Sequence, residues 1–253
     1  MHFGYYSMSR SNPFYRDTML NEMNRQVLLR LQLSNDKQIL GDLGCGMGGT
    51  MRFLMKQLPL LYTLGVTLSD FQVQEGNKLL KGSKGVIVKE NYENTSFKSN
   101  SLDGAVAMES FCHSGHSYTT LKEAYRILKP GKRLVITDAF LKKDASLLCL
   151  GSKMSYEGLC KKWSLDGLGE IHQVEKNLKE IGFSNVLVED ISLKVAPSVL
   201  HVPFAIPLFL IKQFFKNKKV RKQSWNNLIA SFYSLTAGLH RNAFGYYIIT
   251  AEK

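Results

Sequence analysis

The sequence predicts an α/β chain built on a doubly wound, mostly parallel sheet of seven strands. Three observations predict it. An apolar run, Ile39 to Leu43, breaks into four glycines within the six residues Gly44 to Gly49, and the helical pattern Met51, Leu54, Leu58 follows. That is strand, tight turn, helix. Short apolar runs then alternate with helical stripes along much of the chain, as parallel sheets with helices on both faces require. The run Leu102 to Met108 is apolar on both faces, as a strand buried between two helical layers must be.

Taken in order, residues 1–18 are polar and aromatic, and Asn12-Pro13 breaks any helix there. Leu20, Met23, Val27 and Leu31 recur at spacings of 3, 4 and 4, which predicts a helix from Met19 to Leu33. Strands are expected at Ile39–Leu43, Tyr62–Thr67, Gly85–Lys89, Leu102–Met108, Arg133–Thr137, Phe183–Glu189 and Tyr246–Ala251. Helices are expected after the glycines to about Leu58, then at 70–81, 118–128 and 172–181. Lys129-Pro130-Gly131 closes the 118–128 helix, and Gly182 closes the last. The reading is one domain over 1–253, with a cap segment and helix at 1–34. Two stretches, 141–170 and 191–245, are too long for plain connections. Residues 141–168 read as irregular. Ligands of such sheets sit at the carboxyl ends of the strands, so insertions on that side act as lids.

The four cysteines (45, 112, 149 and 160) form no C-x-x-C pair, which points to a reducing compartment. The start, Met1 to Tyr6, lacks the pattern of a signal peptide. The longest apolar run, Val202 to Ile211, holds two prolines and is too short to span a bilayer. A cytoplasmic protein is expected. The net charge of +12 gathers late, with eight Lys/Arg and one Glu from His201 onward. It reads as a solvated basic face, a site for an anionic acceptor, or a peripheral membrane contact through 199–222. Nucleic acid is not expected, because no recognised binding motif accompanies the charge.

Glycines 44, 46 and 49 fit the dinucleotide pattern G-x-G-x-x-G. Asp42, Gly44, Gly46 and Gly48 equally fit D-x-G-x-G-x-G. Either way bare backbone meets a ligand, beside the unpaired N–H groups of a helix start. Cys45 reads as a small filler of the loop. After the second strand, Asp70 stands near where a dinucleotide fold holds ribose with an acid.

The D-x-G-x-G-x-G form resembles motif I of the class I S-adenosyl-L-methionine (SAM) methyltransferases. Gly65-Val66-Thr67-Leu68-Ser69 with Gln72 resembles the second motif of the sterol and cyclopropane-type members. Glu90-Asn91-Tyr92 and the stretch to Asp103 resemble the adenine-binding segment, with Asn91 for the usual Asp and Thr95-Ser96 for Leu-Pro. Ala107-Met108-Glu109-Ser110-Phe111-Cys112-His113 resembles the A-x-E-x-x-x-H segment of sterol-type C-methyltransferases. Ala124-Tyr125-Arg126-Ile127-Leu128-Lys129-Pro130-Gly131 is similar to the family's A-x-R-v-L-K-P-G. The resemblance is strong over 38–138 and implies a Rossmann-like methyltransferase fold with helical lids.

It implies SAM as cofactor, held by Asp42, Gly44, Cys45, Gly46, Thr67, Leu68, Gln72, Asn91, Tyr92 and Glu109. It also implies an aromatic start (Phe3, Tyr5, Tyr6) folded over the cofactor. No metal is implied. Methyl transfer is an in-line displacement that needs alignment and exclusion of water. Oxygen and nitrogen acceptors need a base, whereas an alkene becomes a carbocation that a carboxylate or aromatic face must stabilise. Glu109 and His113 are the catalytic candidates, at a spacing that shares a face if a helix begins there. Glu170 and His172 are secondary ones. The apolar wall expected at 199–215 suits a lipophilic acceptor with an anionic head such as a diphosphate, or a contact between copies. C-methylation of a terpenoid or sterol-like alkene is the leading expectation. Alternatives are O- or N-methylation of a polyketide, sugar or amine, an NAD(P)-dependent oxidoreductase, and a SAM-binding protein without turnover.

Overall fold

The structure is a computed structural model and describes residues 2–203 and 222–253. The described chain runs α1 (Arg16–Leu31), β1 (Ile39–Leu43), α2 (Gly49–Gln57), β2 (Tyr62–Thr67), α3 (Asp70–Leu79), β3 (Gly85–Lys89), β4 (Gly104–Met108) and α4 (Tyr118–Ile127). It continues as β5 (Arg133–Leu141), α5 (Leu150–Trp163), α6 (Ile171–Ile181), β6 (Ser184–Asp190), α7 (Ser192–Val199), α8 (Lys222–Leu239) and β7 (Phe244–Glu252). The seven strands form one sheet in the order β3-β2-β1-β4-β5-β7-β6. β1 to β5 pair in parallel, and β7 lies antiparallel between β5 and β6.

Alternation along the central strands sorts the core into two layers. Ala105, Ala107, Leu134, Ile136 and Ile249 face α4 and α6, where Leu121, Ala124, Ile127, Ile171, Val174 and Leu178 meet them. Val106, Val135 and Ile248 face α1, α2 and α7, through Met23, Val27, Leu31, Leu54 and Val195. Phe111 and Phe140 are fully buried. Truncating Phe140 to alanine is therefore expected to cost about 3–5 kcal/mol, measured by denaturant unfolding of the two proteins.

Two expectations need correction. The fourth strand begins at Gly104, and Leu102 makes only an isolated bridge to Leu128. The stretch read as irregular holds the 14-residue helix α5. Its buried residues are Ser152, Ser155 and Leu159, so the packed face is small rather than apolar and carries no hydrophobic period. Gly158 admits the Tyr233 ring of α8, which would stand 2.5 Å from an added Cβ. Ser155 Oγ donates to Thr236 Oγ1 at 3.0 Å. The 191–245 stretch contains α7 and α8. The apolar and basic runs expected at 199–222 lie, from 204 to 221, outside the described residues. Among the described residues no helix is long and apolar enough to cross a membrane.

Candidate functional site

The glycine loop is pinned to the second strand. The N–H groups of Gly44 and Cys45 both donate to Val66 O, each at 3.0 Å. Gly44, Gly46 and Gly48 take left-handed backbone, with φ of 94°, 55° and 70°. At Gly44 an added Cβ would stand 2.3 Å from Ser110 Cβ, so the turn after β4 rests directly on the loop. At Gly46 and Gly49 an added Cβ would meet nothing within 4 Å. That open backbone beside the start of α2 is a cradle.

Hydrogen bonds join the other expected segments to this edge. Ser110 Oγ donates to Leu43 O at 2.5 Å, and Tyr92 O–H donates to Ser110 O at 3.0 Å. Glu90 N donates to Thr67 O at 3.2 Å. Thr67 O–H donates to Gln72 Oε1 at 2.5 Å, which orients the glutamine amide for donation elsewhere. Ser69 caps α3, accepting from Gln72 N. Leu68 is exposed at the rim. Asn91 Oδ1 accepts from Glu93 N at 3.0 Å and keeps a second lone pair for a ligand. Asp42, Gly44, Cys45, Gly46, Thr67, Leu68, Asn91, Tyr92 and Glu109 thus lie at the carboxyl ends of β1 to β4 or in the turns that follow them, and Gln72 lies in the first turn of α3. Asp70, the dinucleotide candidate, is exposed and paired with Lys89 Nζ at 2.8 Å.

Two carboxylates here are perturbed. Burial pushes Asp42 up to about 7, and its Oδ2 is buried without a hydrogen-bond partner. Burial also raises Glu109 to about 7, against the hydrogen bonds that favour its charged form. Those bonds come from Phe3 N at 2.8 Å and from Tyr246 O–H at 2.7 Å, both onto Oε1. Phe3 meets the Tyr246 ring edge-on at 6.3 Å. The amino-terminal strap is held further by Gly4 N to Ser198 Oγ (2.8 Å), Tyr5 N to Met19 O (2.9 Å) and Tyr6 N to Lys194 O (2.7 Å). Native Asp42 keeps a proton that the unfolded chain releases near pH 4. Its burial therefore costs stability as pH rises from there towards 7. Asp42→Asn is expected to raise the apo Tm at pH 8 and leave it nearly unchanged at pH 4, measured by calorimetry.

The expected pairing of Glu109 with His113 is not found. Glu109 has φ 48°, which ends the strand, and a 3-10 turn, Phe111–Ser114, follows. Three residues per turn do not stack positions four apart, and His113 is exposed. Glu170 caps α6, accepting from His172 N and Gln173 N at 3.0 Å, and His172 is exposed. The enclosed histidine of this segment is instead His116, whose Nε2 lies 3.3 Å from Asp138 Oδ2. The signal for it was Asp138, a lone acid within the apolar run 134–141. A buried carboxylate needs partners.

This sheet order, with an open glycine loop and Glu109 at the same edge, is the arrangement of a class I SAM-dependent methyltransferase domain, the class that this chain resembles. Residues 41–136 match the family model described as a methyltransferase domain. Cycloartenol-C-24-methyltransferase of Arabidopsis thaliana is 30% identical over 194 residues, 72% of this chain and 53% of that one. An S-adenosyl-L-methionine-dependent Diels-Alderase of Talaromyces variabilis is 27% identical over 83% of this chain and 75% of that one. A solved geranyl diphosphate C-methyltransferase from Streptomyces coelicolor, in complex with Mg2+, geranyl diphosphate and S-adenosyl-L-homocysteine, superposes with a TM-score of 0.73. It is 15% identical, over 100% of this chain and 91% of that one, and supports the fold. The chain spans about half the length of the plant sterol methyltransferases it matches.

The residues fit SAM. The cradle at Gly46 admits a ligand against backbone. The unpartnered Asp42 oxygen and the Glu109 carboxylate offer negative charge to a cation.

Proposed function

We propose that this chain transfers a methyl group from SAM to carbon, on a terpenoid or sterol-like alkene. One observation carries the choice of carbon. Glu109, enclosed at the end of β4, presents a carboxyl group that accepts from Phe3 N and Tyr246 O–H, and the rings of those two residues meet edge-on. A carboxylate and aromatic faces are what a carbocation needs. The names of the plant sterol C-methyltransferases support the same acceptor class.

SAM, when bound, supplies a methyl group activated on a sulfonium. Gly44, Cys45 and Gly46 would bear it against backbone, with Asp42 beneath the loop. Thr67, Leu68 and Gln72 would meet the ribose hydroxyls, and Asn91 and Tyr92 the adenine edge. Glu109 holds negative charge near the reacting carbon and takes the proton that the methylated cation loses. The strap of Phe3 to Tyr6 excludes water. Lids at 141–170 and 191–245 would enclose a lipophilic acceptor, and the late basic residues suit an anionic head such as a diphosphate. A membrane surface is a second role for 199–222.

The test is turnover with methyl-labelled SAM against prenyl diphosphates, sterols, phenols and amines, read by product mass. A gain of one methyl on a prenyl or sterol acceptor is expected. Gain on phenols or amines alone would move the reaction to oxygen or nitrogen. Conversion without mass gain would make SAM a bound cofactor of a rearrangement.

A further inference from the structure

The pair His116 and Asp138 is among the most enclosed polar contacts of the described residues, with side chains 0% and 2% exposed. Nδ1 of His116 accepts from Gly169 N at 3.2 Å, so that nitrogen carries no proton. The neutral ring then carries its proton on Nε2, facing Asp138 Oδ2 at 3.3 Å. The alignment falls short of a full hydrogen bond. The same Asp138 Oδ2 accepts from Cys112 N at 3.0 Å, and Oδ1 accepts from Ala139 N at 2.9 Å. The His116 ring packs on Phe140, with centroids 4.1 Å apart.

These contacts bracket one turn. It starts at Glu109, whose N–H donates to Thr137 O at 2.8 Å. Asp138 is the next residue of that strand; its Oδ2 accepts from Cys112 N and lies 3.3 Å from His116 Nε2 at the far end of the turn. Glu109 and His116 both take left-handed backbone, with φ of 48° and 55°. For residues other than glycine this costs about 1–2 kcal/mol each, so the surrounding contacts must hold the turn in place. Gly169 lies at the end of the 141–170 lid, and its carbonyl accepts from Leu141 N at 3.0 Å.

We propose that His116 is a positioning residue for methyl transfer: through Asp138 it fixes the turn that presents Glu109, and through Gly169 it ties that turn to the base of the lid. The role in transfer rests on the function proposed above; the role in holding the turn does not.

The test compares the full-length wild type with His116→Ala and His116→Asn. The readouts are amide hydrogen exchange at Cys112 and Gly169, SAM affinity by calorimetry, and kcat and KM for the acceptor. For His116→Ala, faster exchange at both amides is expected, with SAM affinity within about twofold and kcat lower by roughly 10–100-fold. Asparagine can keep the acceptor for Gly169 N and loses the donor aimed at Asp138. His116→Asn should therefore leave Gly169 protected, speed exchange at Cys112 and still lower kcat. It also serves if the alanine variant does not fold. Faster exchange at Gly169 alone, or unchanged kcat with both amides exposed, would overturn the proposal. A wild type that binds SAM and methylates nothing would sink the functional reading; the exchange pattern on the same protein would still decide whether His116 holds the turn.

Discussion

Gly46→Val is expected to abolish SAM binding, raising Kd more than about 100-fold, while the protein stays folded. The residue sits in the glycine loop with φ 55° and open space where a Cβ would stand. A valine side chain would occupy the volume that the cofactor needs. It would also strain the backbone by about 1–2 kcal/mol, a cost that a chain of this size can survive. Strain and occlusion are separable. Gly82 has φ 80° and equally open space, but lies between α3 and β3, at the opposite end of the strands. Gly82→Val should lower Tm by a similar amount and leave SAM affinity unchanged. Calorimetric titration and thermal melts of both variants check this. Equal loss of binding in the two would assign the effect to the fold.

Glu109→Gln is expected to lower kcat by about 10²–10³-fold, with SAM still bound. Glutamine keeps an oxygen that can accept from Phe3 N and Tyr246 O–H, so the strap stays in place. What is lost is the negative charge. The pH dependence gives a second reading. Wild-type Glu109 is raised to about 7 by burial, so it is neutral below that value and charged above it. A cation beside it stabilises the charged form. The preference for SAM over the neutral S-adenosylhomocysteine should therefore grow as pH rises from about 6 to 8, measured by competition. In Glu109→Gln that growth should be reduced; Asp42, also raised to about 7, contributes the remainder. An unchanged kcat in the variant would remove Glu109 from the reaction.

The sheet was legible because its strands are apolar runs separated by glycine, proline and polar turns. Leu40, Val106, Val135 and Ile248 fall on one face and Ala105, Leu134 and Ile249 on the other, as a period of two requires. The turn after β1 was legible because left-handed backbone favours glycine, and Gly44 and Gly46 both take it there. Helix α5 was hidden because it packs through serine and glycine, whose small side chains carry no hydrophobic signal. The partner of Glu109 was misjudged for a local reason. A spacing of four implies a shared face only on an α-helix, and left-handed backbone at Glu109 followed by a 3-10 turn removes it. His116 came into the site through contacts with Asp138 and Gly169, 22 and 53 residues away in sequence for positions 138 and 169, which no local pattern reports.

The most direct measurement is the 13C spectrum of the product formed from SAM labelled in its methyl carbon, with a prenyl diphosphate or sterol acceptor. The account predicts a new enriched signal in the range of carbon-bound methyl groups. A signal shifted to the range of methyl on oxygen or nitrogen would contradict it.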